Sequence, residues 1–237
     1  MKPRQAIYLL LGIGLSIGGC TSLGSAKQAA TSDTSLVAPV ESPAESPVEL
    51  LAENAGPSSV TEKLRPDTRI MPMTIEGEVV EMELRLFDQS ALPFTTYVPK
   101  KDFQDKVDSS DQGTVAQFIF SPGGKKDETA YVQIFMPSRR TTVEEMRELL
   151  LSENGLLATN NWELVDRTDI VSYAWAREKL IYQQRTDKTD YFGSIYIGDY
   201  RGRSFYALTH YPVEYGDGFE PRSTIMLENL QFRDERS

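Results

Sequence analysis

Few side chains in this sequence have the type and spacing that chemistry needs. The chain holds one histidine and one cysteine. His210 lies in Ala207-Leu208-Thr209-His210-Tyr211, and a general base there would need a nucleophile and an orienting acid around it. No Gly-x-Ser-x-Gly elbow exists, and Ser204 sits in the same strand-like run, badly placed to face the imidazole. An ordinary sheet histidine is expected. Gly123-Gly124-Lys125-Lys126 lacks the spacing of a phosphate loop, and no helix follows it to aim amides at phosphate. It reads as a hairpin loop. Asp108-Ser109-Ser110-Asp111-Gln112-Gly113 carries two carboxylates, but a calcium loop starting there would place Gln112 fifth and Ile119 twelfth. Polar turn residues are expected instead. Glu144 and Glu145 fall in a helix first turn, where the dipole favours negative charge. The expectation is no catalytic residue, no metal, no cofactor and no enzyme activity.

Cys20 is different because its neighbours give it a role. Lys2 and Arg4 make a short basic start, and Ala6–Gly19 is an uncharged run of 14 residues ending in small side chains. As a helix that run covers roughly 21 Å, short of the roughly 30 Å hydrocarbon core of a bilayer. It reads as a removable signal, not a spanning segment. Ile17-Gly18-Gly19-Cys20 resembles the lipobox of bacterial lipoproteins: an aliphatic residue, two small residues, then Cys. That resemblance implies diacylglycerol on the Cys20 thiol, removal of residues 1–19, and acylation of the new amino terminus. Several acyl chains on one residue hold a protein at a membrane more firmly than one chain, at about 0.8 kcal/mol per buried CH₂. The implied location is the cell membrane or outer membrane, facing the periplasm or the exterior.

Residues 20–66 are rich in Ser, Ala, Pro, Glu and Thr, with the near-repeat Glu41-Ser42-Pro43-Ala44-Glu45-Ser46-Pro47 and no aromatic residue. Such a composition cannot bury enough apolar surface to offset chain entropy, so a disordered tether with a mean reach of roughly 35–40 Å is expected. The composition changes at about Asp67, and residues 67–237 read as one domain.

Period-two alternation marks its strands. Val80, Met82, Leu84 and Leu86 interleave with Glu81, Glu83 and Arg85. Further strand-like runs are Phe94–Val98, Val115–Phe120, Tyr131–Met136, Trp162–Val165, Val171–Gln184, Phe192–Ile197 and Ser204–Tyr211. A hairpin is expected around Gly198–Arg203. Thr142-Val143-Glu144-Glu145 has the spacing of a capping box, and Asn154-Gly155 supplies the stop of the helix it opens. A second, weaker helix is expected over Pro221–Glu228. The fold class that follows is α+β: an antiparallel β-sheet, arranged as a meander, with helices packed against it.

The order of these elements resembles the PsbP-like superfamily. The residues that carry the likeness are Phe94-Thr95-Thr96-Tyr97-Val98-Pro99, the Gln117–Phe120 and Tyr131–Met136 strands, the helix opened by Thr142, and the closing Leu227-Glu228-Asn229-Leu230-Gln231-Phe232. The strand over Glu76–Phe87 departs from that pattern. The resemblance implies a non-enzymatic domain, often lipid-anchored, that serves in assembly or partner binding.

The formal charge of -10 argues against nucleic acid, which needs a basic face, and one cysteine leaves no intrachain disulfide. Tyrosines supply the remaining candidate contacts. Nine of the aromatic residues fall between Tyr191 and Phe219; Tyr200 in a turn and Tyr215 beside Gly216 are the two placed for exposure. The expected function is a membrane-anchored lipoprotein displaying a non-catalytic binding or assembly domain to a protein partner. The alternative is an envelope ligand binder, with glycan stacking on Tyr200 and Tyr215; a hydrolase is the least favoured reading.

Overall fold

The computed structural model describes residues 65–75 and 77–233. Residues 1–64, which hold the signal-like run, Cys20 and nearly all of the expected tether, lie outside the described residues. The elements run in the order β1 (Thr68–Ile75), β2 (Glu78–Asp88), β3 (Phe94–Pro99), β4 (Phe103–Ser110), β5 (Gly113–Phe120), β6 (Asp127–Pro137), α1 (Val143–Leu151), α2 (Leu156–Thr159), β7 (Glu163–Thr168), β8 (Ala176–Gln184), β9 (Tyr191–Tyr200), β10 (Arg203–Pro212), α3 (Gly216–Glu228) and β11 (Gln231–Phe232). They build two sheets, ordered β1-β2-β3-β11 and β4-β5-β6-β10-β9-β8-β7. Every recorded pairing is antiparallel. The larger sheet is two meanders, β4-β5-β6 and β7-β8-β9-β10, joined where β6 pairs with β10. The expected α+β class is what the chain adopts.

Burial explains which runs became which strands. β10 sits at the centre of the larger sheet and is buried from Ser204 through Pro212, so it reads as a continuous apolar run. β4 is an edge strand with Phe103 as its only buried residue, and its polar sequence concealed it. The Asp108–Ser110 stretch belongs to that strand; the turn itself is Asp111-Gln112, with Ser110 opposite Gly113. The β9–β10 hairpin is tighter than the sequence suggested. Tyr200 pairs with Arg203, and Arg201 and Gly202 take φ of 56° and 71°, the double left-handed geometry of a two-residue type I′ turn. Gly123 and Gly124 lie in a short 3-10 turn between the paired strands β5 and β6.

The capping box of α1 is formed as expected: Thr142 Oγ1 accepts the Glu145 amide at 3.1 Å, and the Thr142 amide donates to Glu145 at 2.8 Å. α3 begins earlier than expected, at Gly216, with Pro221 inside its first half. Met146, Leu150 and Leu157 of α1 and α2 cover one face of the larger sheet, against Leu180, Ile195, Ile197, Tyr206 and Leu208. The opposite face packs on α3 and the smaller sheet through Phe94, Val98, Phe219 and Met226. From α3, Ile225 alone joins the buried cluster of the smaller sheet, beside Met73, Leu84 and Tyr97. Glu178, almost fully buried on β8, joins α1 to β7: Arg147 donates to its Oε2 at 2.8 Å, and Arg167 lies against its Oε1. Among the described residues no helix is long and apolar enough to cross a membrane.

Candidate functional site

His210 lies on β10, on the face that α1 and α2 cover, and retains 7% exposure. Aromatic rings enclose it. Trp162 stacks on it at 5.0 Å between centroids, Tyr191 at 5.1 Å, and Tyr131 tilts against it at 5.3 Å. Tyr182 lies in the same stack, 4.3 Å from Trp162. The Tyr182 hydroxyl donates to Thr209 O at 2.9 Å and lies 3.1 Å from His210 Nδ1. A phenol has one proton to give, so the network assigns the shared proton to Nδ1–H, donating to Tyr182 Oη, and leaves Nε2 as the unprotonated nitrogen.

Burial pulls the His210 pKa down from 6.5 to about 4, because a charged ring there would lose its hydration. Burial also pushes the Tyr182 phenol well above its ordinary value. Both partners are thus held neutral near pH 7. Ser204, six residues along the same strand, stands roughly 20 Å away at strand spacing. Its buried Oγ has no hydrogen-bond partner among the described residues. Among the described residues His210 meets aromatic rings and the Tyr182 hydroxyl, and no serine or cysteine is hydrogen-bonded to it.

The two tyrosines singled out by sequence are half-buried and engaged. Tyr200 stacks on Phe232 at 4.3 Å, and its hydroxyl donates to Arg233 O. Tyr215 donates to Asp127 Oδ2 at 2.8 Å and packs edge-on to Phe120. Their rings join the strand ends to the C-terminal segment and to the β5–β6 connection. Of the other aromatic residues between Tyr191 and Phe219, Phe205, Tyr206, Tyr211 and Phe219 are buried, while Phe192 is 37% exposed. Asp108 pairs with Lys106 at 2.6 Å. Among the described residues no group of three or more His, Cys, Asp or Glu could hold a metal ion.

Sequence reading missed a concavity beside the β1–β2 hairpin. A cleft of about 580 Å³ lies where β2 and the end of β1 pass the β3–β4 turn and α3, lined by Ile75, Val80, Met82, Glu78, Glu81 and Arg222 among others. The alternation of β2 was legible, but its wet and dry faces gave no sign that the dry face is only partly covered.

No family model matches the chain, and no curated protein matches it. Among the solved structures that are similar to parts of the chain are two at low identity. One is a protein from Bacteroides thetaiotaomicron, with TM-score 0.38 and 15% identity over 63% of this chain and 48% of that one. This chain therefore spans about half the length of that protein. The other is the cyanobacterial PsbP (CyanoP) from Synechocystis, with TM-score 0.44 and 10% identity over 75% of this chain and 100% of that one. Neither likeness reaches the level of family membership.

Proposed function

We propose that this protein is a lipid-anchored extracytoplasmic lipoprotein whose α+β domain is a non-catalytic binding or assembly module. The observation that carries the reading is the position of the chain's single cysteine, directly after Ile17-Gly18-Gly19 at the end of a basic-then-apolar leader. The packing around His210 supports the non-catalytic part. A general base works when its nitrogen can reach substrate and its pKa lies near the working pH; this ring is enclosed by four aromatic side chains and titrates at about 4. The sequence likeness to PsbP-like domains, carried by Phe94–Pro99 and the closing Leu227–Phe232 segment, points the same way.

The anchor is tested by cell fractionation. Wild-type protein made in a lipoprotein-processing bacterium is expected in the membrane pellet and extracted by detergent, whereas Cys20→Ala moves to the soluble extracytoplasmic fraction. Retention of the Cys20→Ala protein in the pellet at wild-type level contradicts the reading.

A further inference from the structure

Methionine sulfur is distributed unevenly in the domain. Of the chain's seven methionines, six lie among the described residues. Met136, Met146 and Met226 are sealed at 4%, 0% and 1% exposure, and Met73 at 6%. Met71 on β1 and Met82 on β2 are the two that stay partly open. Strand pairing sets them directly opposite each other, where the Cβ atoms of an antiparallel pair stand about 5 Å apart. Both lie on the inner face of the hairpin, packed on the buried cluster of Met73, Leu84, Tyr97 and Ile225. Met82 also lines the cleft of about 580 Å³ beside the hairpin, which admits small solutes to its side chain.

A thioether is a two-electron reductant for peroxides. The sulfur lone pair attacks one peroxide oxygen, the S–O bond forms as the O–O bond breaks, and the departing hydroxide takes the remaining proton and leaves as water. The sulfur is oxidised and the peroxide reduced, with no further reactant. The product, methionine sulfoxide, carries a strong acceptor where the side chain had been apolar. Turned inward, that oxygen meets a cluster whose one hydroxyl, on Tyr97, already donates to Pro66 O, and a buried acceptor without a donor is costly. Turned outward, it draws the side chain off the cluster. β1 is the strand that yields, because it is an edge strand paired with β2 alone, whereas β2 is held by β3 as well.

We infer that Met71 and Met82 are the site at which a hydroperoxide oxidises this domain, and that their sulfoxides release β1 from the smaller sheet. The oxidation requires neither the lipid anchor nor a bound partner. Because methionine sulfoxide is reduced enzymatically, the release is reversible.

The test uses the purified full chain carrying Cys20→Ser, which removes the only thiol. The protein is treated with hydrogen peroxide and followed by peptide mass spectrometry and amide hydrogen exchange. Met71 and Met82 are expected to become sulfoxides about tenfold faster than Met73, Met136, Met146 and Met226. The amides of β1 are then expected to exchange about tenfold faster, with those of β10 unchanged, and methionine sulfoxide reductases are expected to restore protection. Met71→Leu with Met82→Leu keeps apolar side chains of similar volume and is expected to hold β1 exchange constant under the same peroxide. Oxidation that runs at equal rates over all six methionines, or that starts at a sealed one, would overturn the inference. So would unaltered β1 exchange in wild-type-sequence protein carrying both sulfoxides, a result that needs no further variant to fold. Equal loss of β1 protection in the folded double-leucine variant would do so too, because the opening would then owe nothing to these two sulfurs.

Discussion

His210 enters the folded protein as a neutral ring because, among the described residues, its surroundings offer stacking partners and one phenol oxygen but no ion-pair partner. Its folded pKa of about 4 lies below the ordinary 6.5, so the unfolded chain binds the proton more readily. The stability contributed by the neutral ring is therefore complete above pH 6.5 and is lost as the pH falls toward 4. The difference amounts to about 3 kcal/mol at most. His210→Phe keeps a ring in the stack and removes the titration. Urea unfolding at pH 7, 5.5 and 4 is expected to show wild-type stability falling more steeply with acid than that of His210→Phe. Parallel pH profiles would contradict the buried-neutral assignment. Sequence alone marked His210 as a sheet residue, but Tyr131, Trp162, Tyr182 and Tyr191 reach it from four different strands or strand approaches. No local spacing groups residues that only strand pairing brings together. The same holds for Glu178, whose two arginines are 31 residues away on α1 and 11 away at the end of β7.

Among the elements, β9 shows how one residue's lack of a side chain sets a neighbouring strand's geometry. A Cβ on Gly193 would stand 2.3 Å from Thr209 O and 2.3 Å from the Tyr182 ring. That ring holds the hydrogen bonds to Thr209 and His210. Gly193→Ala must therefore displace either β10 or Tyr182, and a loss of about 2–3 kcal/mol is expected in equilibrium unfolding. A change below about 0.5 kcal/mol would mean the close approach is not real. Strands with a strong apolar pattern, β2, β5, β6, β9 and β10, were legible from their side chains. β1 was not, because Pro72 interrupts it and it lies at a sheet edge. β4 was not, because its exposed residues follow no alternation. The start of α3 was concealed by Gly216, Gly218 and Pro221, residues of low helix propensity that tertiary packing through Phe219 overrides. Trp162–Val165 and Val171–Gln184 were read as strands, but β7 begins at Glu163 and β8 at Ala176, with register shifts in their pairing.

For the whole molecule, the division into two sheets is a matter of pairing, and periodicity says which way side chains point without saying which strands meet. β3 is buried at all six positions because α3 and the larger sheet close over it, a fact set by the far end of the chain. Arg65 and Pro66 already belong to this packing: Arg65 lies over the Tyr97 ring at 4.4 Å, and Tyr97 donates to Pro66 O at 2.9 Å. The domain thus grips the chain at the point where the expected tether ends. In the reading proposed above the domain is displayed outside the cytosol, and that placement depends on Cys20. Intact-mass measurement of the mature protein, extracted from the membranes of a lipoprotein-processing bacterium, tests this directly. The account predicts a polypeptide that begins at Cys20 and carries the added mass of a diacylglycerol, with or without an amide-linked acyl chain. A mature chain that retains residues 1–19, or one that begins at Cys20 with an unmodified thiol, would contradict it.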